Sequence, residues 1–154
     1  VNTKGANYLL TGASSHNTAV EKQFRYPTEY GGQKPPTAQW TVTGAGVALL
    51  SGSGDGPCVT SATIGRVIDM GMTDPFNMGG AMAPAAVDTI EAHLTERNLD
   101  PSYYDLIVTG DLGQIGREVS LDLFKKHGIP ILEEQYQDCG LMIYREGQPV
   151  LSGA

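Results

Sequence analysis

Long apolar runs, cysteines and basic residues are all scarce in this chain, and each scarcity excludes a class of protein. No run of about eighteen apolar residues occurs, so the sequence predicts no membrane-spanning helix. Cys58 and Cys139 form no CxxC pair, which excludes a disulfide framework and favours a reducing compartment. Ten basic residues against 17 acidic ones give a formal net charge of −7, which argues against nucleic acid as a partner.

Glycine, by contrast, is abundant, with 20 among the 154 residues. Many of these glycines end apolar runs, where they allow the backbone to turn tightly. We therefore expect many short elements with short connections. The content of 40% hydrophobic and 18% charged residues is typical of a globular domain.

Strand-like and helix-like patterns alternate in the second half of the chain, which predicts an α/β fold. A strand at residues 105–109, a helix at 115–127 and a strand at 129–132 predict a right-handed parallel βαβ unit. A second helix is predicted at residues 84–98, with Pro84 in its first turn. Asp100 before Pro101 predicts a cap on a short turn.

Apolar runs and β-branched residues predict further strands. They lie at residues 6–11, expected to be buried on both faces, 40–43, 45–51 and 59–69, with a closing hairpin formed by 141–144 and 150–151. Residues 52–57 (GSGDGP) are interpreted as a hairpin turn. They lack the third glycine of a GxGxxG phosphate loop, and no helix pattern follows them.

Polar residues follow the first predicted strand, at the kind of strand end where ligands of α/β sheets bind. Ser15, His16 and Asn17 can contact a ligand there, or they can stabilise a turn by hydrogen bonds. The adjacent Ser–His pair does not form a nucleophile elbow, because the GxSxG pattern is missing. No catalytic residue is assigned.

A long segment with two cations and two phenols separates this strand from the next. Arg25 and Lys34 can clamp a carboxylate, and Tyr26 and Tyr30 can stack on an aromatic ligand. Loops of this length in compact domains are often functional. The alternative is that these are solvated loop cations and exposed aromatics.

Asp111 follows the strand at residues 105–109, again at the ligand edge of a parallel sheet. Its carboxylate can accept a proton or bind a cation, and it can equally cap the turn before the next helix.

The remaining candidate groups favour structural roles. Cys58 and Cys139 are interpreted as small buried side chains that do not open a helix, and Asp138 is expected to raise the pKa of Cys139. His93 and His127 lie in or at the end of a helix without a second ligand at i+4, so no metal site is predicted. Met70, Met72, Met78 and Met82 are expected to fill the core. No cofactor is expected.

Four segments closely resemble the stage V sporulation protein AD family of spore-forming bacteria. They are ASSHNTAVEKQFRYPTEYGGQKPPTAQWTVTGAG at residues 13–46, TSATIGRVIDMGMTDPFNMGGAMAPAAVDTI at 60–90, YDLIVTGDLG at 104–113 and DCGLMIY at 138–144. The resemblance implies a thiolase-like layered αβαβα sandwich with mixed, largely parallel sheets. It also implies that the chain is an internal fragment, with residues 1–56 ending the first half and 57–154 forming most of the second.

The resemblance further implies binding of dipicolinic acid (pyridine-2,6-dicarboxylate), for its uptake into the developing spore and its release at germination. Arg25 and Lys34 are expected to supply charge, and Ser15, His16 and Asn17 to orient the ligand. Whether Ca²⁺ accompanies the ligand is left open. The expected partners are other stage V sporulation membrane proteins and a second copy of the chain, and the expected location is the cytoplasm or the surface of the spore inner membrane.

An acyltransferase acting on coenzyme A or carrier-protein thioesters is the alternative function. Enzymes of the thiolase-like superfamily usually place a histidine just after the strand at residues 105–109, where this sequence has Asp111. An aspartate cannot replace a neutral imidazole as a donor to the thioester oxygen. Binding without catalysis is therefore the expected function.

Overall fold

The computed structural model describes residues 6–17, 39–145, 147–148 and 151–152. The helices and strands of these residues are listed here in chain order: β1 (Tyr8–Ser15), β2 (Gly44–Ser51), α1 (Met78–Arg97), one turn of 3₁₀ helix (Pro101–Tyr103), β3 (Ile107–Thr109), α2 (Gly113–His127), β4 (Tyr136–Asp138) and α3 (Cys139–Ile143).

The first two strands pair with each other in an antiparallel register that runs from Tyr8 opposite Ser51 to Ser15 opposite Gly44. The predictions that residues 6–11 and 45–51 belong to strands are thus confirmed, although the bounds of the first strand differ. The expected burial of the first is wrong, because Tyr8 and Leu10 are each 70% exposed. The strand predicted at residues 40–43 is also wrong. There, side chains bind carbonyl oxygens that a strand would offer to its neighbour: Ser15 bonds to Val42 and Asn17 to Thr41.

The second sheet joins β3 and β4 in a parallel pair, with α2 as the connection between them. The predicted βαβ unit is confirmed, but its second strand is Tyr136–Asp138 and not residues 129–132. Gly128 ends α2 in a left-handed conformation, and the amide of Ile129 then bonds to the carbonyl of Phe124. This turn directs Ile129 and Ile131 toward the core, so their apolar pattern reflects loop packing.

The core lies between the two long helices and the parallel strands. Val87 from α1, Phe124 from α2 and Tyr136 from β4 are fully buried. The rings of Phe124 and Tyr136 meet edge to face, with centroids 5.3 Å apart. Six further apolar side chains surround them: Ile90, Ile107, Leu121, Leu123, Ile129 and Ile131. The α/β class is therefore confirmed, and these elements are compatible with a thiolase-like sandwich. The division of the chain near residue 57 stays a prediction.

Helix α1 begins earlier than its sequence pattern suggests. The side chain of Asn77 caps it by accepting a hydrogen bond from the amide of Gly80 at 3.0 Å. Pro84 therefore lies inside the helix, and its predicted position in the first turn is wrong. The predicted end is confirmed, since Asn98 adopts a left-handed conformation there. The cap at Asp100 is confirmed too, because its carboxylate accepts from the amide of Ser102.

Residues 59–69 do not form the predicted strand. Ile64 and Val67 are 98% and 95% exposed, and within the described part of the chain no strand pairs with this segment. β-propensity measures how well side chains fit a neighbouring strand, so it does not form a strand without one. Arg66 and Thr63 instead bind side chains of α1.

Two smaller predictions are also wrong. Met70, Met72 and Met82 are exposed, so they do not fill the core. Residues 141–143 belong to α3 and not to a hairpin strand. The partner strand proposed for them includes Val150, which lies outside the described residues.

The first turns of α1 and α2 approach each other closely because glycines occupy the contact. A Cβ atom on Gly79 would lie 1.9 Å from the carbonyl oxygen of Leu112, and one on Gly116 would lie 2.8 Å from the carbonyl oxygen of Gly79. No side chain fits at either position without moving a helix. This contact fixes where α2 begins, and with it the loop that follows β3.

We expect Gly79→Ala to lower the free energy of unfolding by roughly 1–3 kcal/mol or more, because overpacking strains a tightly packed contact. Gly110→Ala is the matched control, since a Cβ there meets no atom within 4 Å. Urea unfolding of both variants measures the difference. Equal stability of the two would contradict the close contact.

Candidate functional site

The carboxyl ends of β3 and β4 form one edge of the parallel sheet, where polar groups gather. Thr109 and Asp138 are register partners at this edge. After Thr109 the chain turns through Asp111, at φ 66°, and Gly113, at φ 65°, to enter α2. Ligands of open α/β sheets bind at such edges, so this loop is the candidate site.

The carboxylate of Asp138 organises this edge. It is fully buried and accepts four hydrogen bonds from the surrounding chain. One oxygen accepts from the amide of Leu112 at 2.9 Å and from the hydroxyl of Thr109 at 3.0 Å. The other accepts from the amides of Gly113 and Gly140, each at 3.0 Å. These amides belong to the first turns of α2 and α3, where a negative charge is favourable.

Asp138 therefore binds the amides at the start of α2, where the sequence interpretation offered a capping role to Asp111. Asp111 is half-buried in a left-handed conformation, which costs an L-residue roughly 1–2 kcal/mol. Its amide donates to the Sγ atom of Cys139 at 3.2 Å. A role for its carboxylate in binding a proton or a cation stays a prediction.

Cys139 opens α3, contrary to the expectation that neither cysteine begins a helix. Burial is the largest cause of a raised pKa for its thiol; the bond from the Asp111 amide opposes the shift, and the charges of Asp138 and Asp111 add to it. The upward direction was predicted from Asp138. A thiol with a raised pKa is a poor nucleophile at neutral pH. Cys58 is exposed, so its predicted burial is wrong.

Ser15 and Asn17 lie at the end of β1 and bind the segment that precedes β2. The Ser15 hydroxyl donates to the carbonyl of Val42 at 2.5 Å, and the Asn17 side-chain amide donates to the carbonyl of Thr41 at 2.8 Å. The turn-stabilising alternative thus accounts for both side chains. His16 is exposed.

The structure brings only some of the predicted site residues together. Ser15 and Asn17 share one hydrogen-bonded segment, whereas the amide of Asp111 bonds to Cys139. Arg25, Tyr26, Tyr30 and Lys34 lie outside the described residues. Contact of any of these residues with a ligand stays a prediction.

Sequence reasoning missed Asp138, which it considered only for its effect on Cys139. The available signal was an aspartate two positions before Gly140, at the start of an apolar run, which is a pattern typical of an N-cap. The bonds to Leu112 and Gly113 span 26 and 25 residues and have no local signal.

The described residues contain neither a metal cluster nor a membrane-spanning helix. No three histidine, cysteine, aspartate or glutamate side chains among them are grouped so as to hold a metal ion. None of the helices in the described part of the chain is both long and apolar enough to cross a membrane.

The fold and this edge define an α/β protein whose polar loop is placed by a buried carboxylate. The chain belongs to the stage V sporulation protein AD family, whose profile matches residues 1–154.

One relative is stage V sporulation protein AD of Bacillus subtilis (strain 168). It is 51% identical over 148 residues, a match that covers 96% of this chain and 44% of the relative. The chain thus spans less than half the length of that relative.

We expect Asp138→Asn to lower the free energy of unfolding by roughly 2–4 kcal/mol, because one carboxylate oxygen becomes an NH₂ group. That donor then faces backbone N–H donors, which lose their acceptor. Asp55→Asn, which removes the same charge from an exposed position, is the control. Thermal unfolding at neutral pH compares them. A loss no greater than that of the control would contradict the role assigned to Asp138.

Proposed function

We propose that this protein, a member of a sporulation family, binds dipicolinate for its uptake into the developing spore and its release at germination. The observation that carries the proposal is the family match along the entire chain, with 51% identity to the Bacillus subtilis protein. The chemistry of the sequence supports it, because a flat aromatic dianion needs cations and an aromatic wall.

Arg25 and Lys34 supply the charge in this proposal. In a chain with a net charge of −7, a dianion needs local cations to overcome the general repulsion. A guanidinium can bind a carboxylate through two parallel hydrogen bonds, and an ammonium adds a second positive charge. Tyr26 and Tyr30, close to Arg25 in sequence, offer faces on which a pyridine ring can stack.

Hydrogen bonds join described residues on the two sides of the segment 18–38, which carries these groups. Asn17 binds the carbonyl of Thr41 at 2.8 Å, and its own amide donates to the hydroxyl of Thr43 at 3.0 Å. Asn17 and the residues Thr41 and Thr43 are therefore held together. Closing a loop at its base reduces the entropy that ligand binding must remove.

If Asp111 takes part, we propose that Ca²⁺ bridges its carboxylate and the ligand, since Ca²⁺ prefers carboxylate oxygens. Added Ca²⁺ then strengthens binding in the natural protein and has no such effect in an Asp111→Asn variant.

The proposal also concerns partners and location. The protein acts with other stage V sporulation membrane proteins, in the cytoplasm or on the spore inner membrane, as a homodimer. The alternative, acyl transfer on thioesters, is disfavoured by Asp111 at the expected histidine position. Thioester exchange by the complete protein would favour that alternative.

Calorimetric titration of dipicolinate into the complete protein tests the proposal. We expect Arg25→Ala and Lys34→Ala each to weaken binding about tenfold or more, because each removes a charge-assisted contact. Arg97→Ala and Lys126→Ala remove the same charges from helix ends and are the matched controls. If Arg25→Ala and Lys34→Ala bind dipicolinate with unchanged affinity, these two residues are not its ligands. If the natural protein gives no heat of binding, the proposed function is wrong.

A further inference from the structure

A cleft of about 340 Å³ lies beside α1, at the end of β3 opposite the Asp138 edge. Its walls are mostly apolar: Ile90 and Leu94 come from the helix, Leu106 directly precedes the strand and Ile107 begins it. A volume of this size lies in the range of small-molecule pockets.

Three polar side chains form a relay along this cleft. The two ring nitrogens of His93 each lie 2.6 Å from a hydroxyl oxygen, Nδ1 from that of Thr63 and Nε2 from that of Tyr104. The hydroxyls come from the extended segment before α1 and from the residue that follows the 3₁₀ turn. The relay thus joins three separate parts of the chain.

The relay leaves one hydroxyl proton free. A neutral imidazole has one donor nitrogen and one acceptor nitrogen, so one hydroxyl donates to the ring and the other accepts from it. The accepting hydroxyl keeps its own proton, and among the described residues it has no second partner. Either tautomer therefore presents one O–H donor to the cleft.

The uncharged lining makes this cleft unsuitable for a dianion such as dipicolinate. Its lining residues, all within the described chain, include no lysine, arginine, aspartate or glutamate. A dianion placed here would lose its hydration without meeting a compensating charge. An uncharged molecule suffers no such loss.

We propose that this cleft binds a small uncharged molecule with an apolar body about the size of an aromatic ring and one oxygen that accepts a hydrogen bond. The body lies against Ile90, Leu94 and Leu106, and the oxygen accepts the free proton of the relay at Thr63 or Tyr104. The lining of this cleft includes none of the residues proposed to bind dipicolinate.

Benzyl alcohol and benzoate are matched probes, because they share a ring and differ in charge. Titrations followed by NMR of the histidine side chains report on the cleft through His93. His127, which pairs with Glu91 at 2.7 Å and does not line the cleft, is the internal control. We expect benzyl alcohol to shift the ring nitrogens of His93 and not those of His127, and benzoate to bind at least tenfold more weakly.

Leu106→Trp fills the cleft and is expected to weaken benzyl alcohol binding at least tenfold. Leu132→Trp, at an exposed position outside the lining, is the control and should leave binding unchanged.

Tyr104→Phe removes one hydroxyl at almost constant volume and tests the relay even if the tryptophan variant does not fold. It should change the ring-nitrogen shifts of His93 without probe and weaken binding. Any of three results would overturn the proposal. They are an unchanged His93 spectrum at saturating benzyl alcohol, equal affinity for benzoate, and unchanged affinity for benzyl alcohol in both cleft variants.

Discussion

One buried carboxylate, that of Asp138, holds together the edge of the sheet on which the candidate site depends. It binds the hydroxyl at the end of β3 and amides at the starts of α2 and α3, so three elements meet at two oxygen atoms. An ionised group is stable in the interior only when its lone pairs are satisfied, and here four donors satisfy them. The left-handed conformation of Asp111 depends on this arrangement, because the loop is held on both sides of that residue.

The glycine contact between α1 and α2 acts together with this carboxylate. Gly79 and Gly116 let the first turns of the helices touch, which puts the amides of Leu112 and Gly113 where Asp138 can reach them. Behind them, Phe124 and Tyr136 join helix and strand in the core. Core packing and the geometry of the polar loop are thus parts of one structure.

The sequence predicted features that local chemistry determines. The amphipathic pattern and Gly128 located α2, and Asp100 before Pro101 located the 3₁₀ turn. It failed where distant partners decide the outcome: residues 59–69 have strong β-propensity but no neighbouring strand among those described, and Ile129 and Ile131 pack as a loop. For the site, Asp111 was proposed from its place after a strand, and its role there stays a prediction. Asp138 was missed as a cap because its main partners lie 25 and 26 residues away.

Hydrogen exchange of single amides tests the central claim about Asp138 most directly. The amides of Leu112, Gly113 and Gly140 lie in loops or at helix starts, where exchange is usually fast. Because each donates to the buried carboxylate, we predict that they exchange as slowly as amides in the middle of α2. Exchange at the rate of the amide of Ile64, a residue that is 98% exposed, would contradict the account.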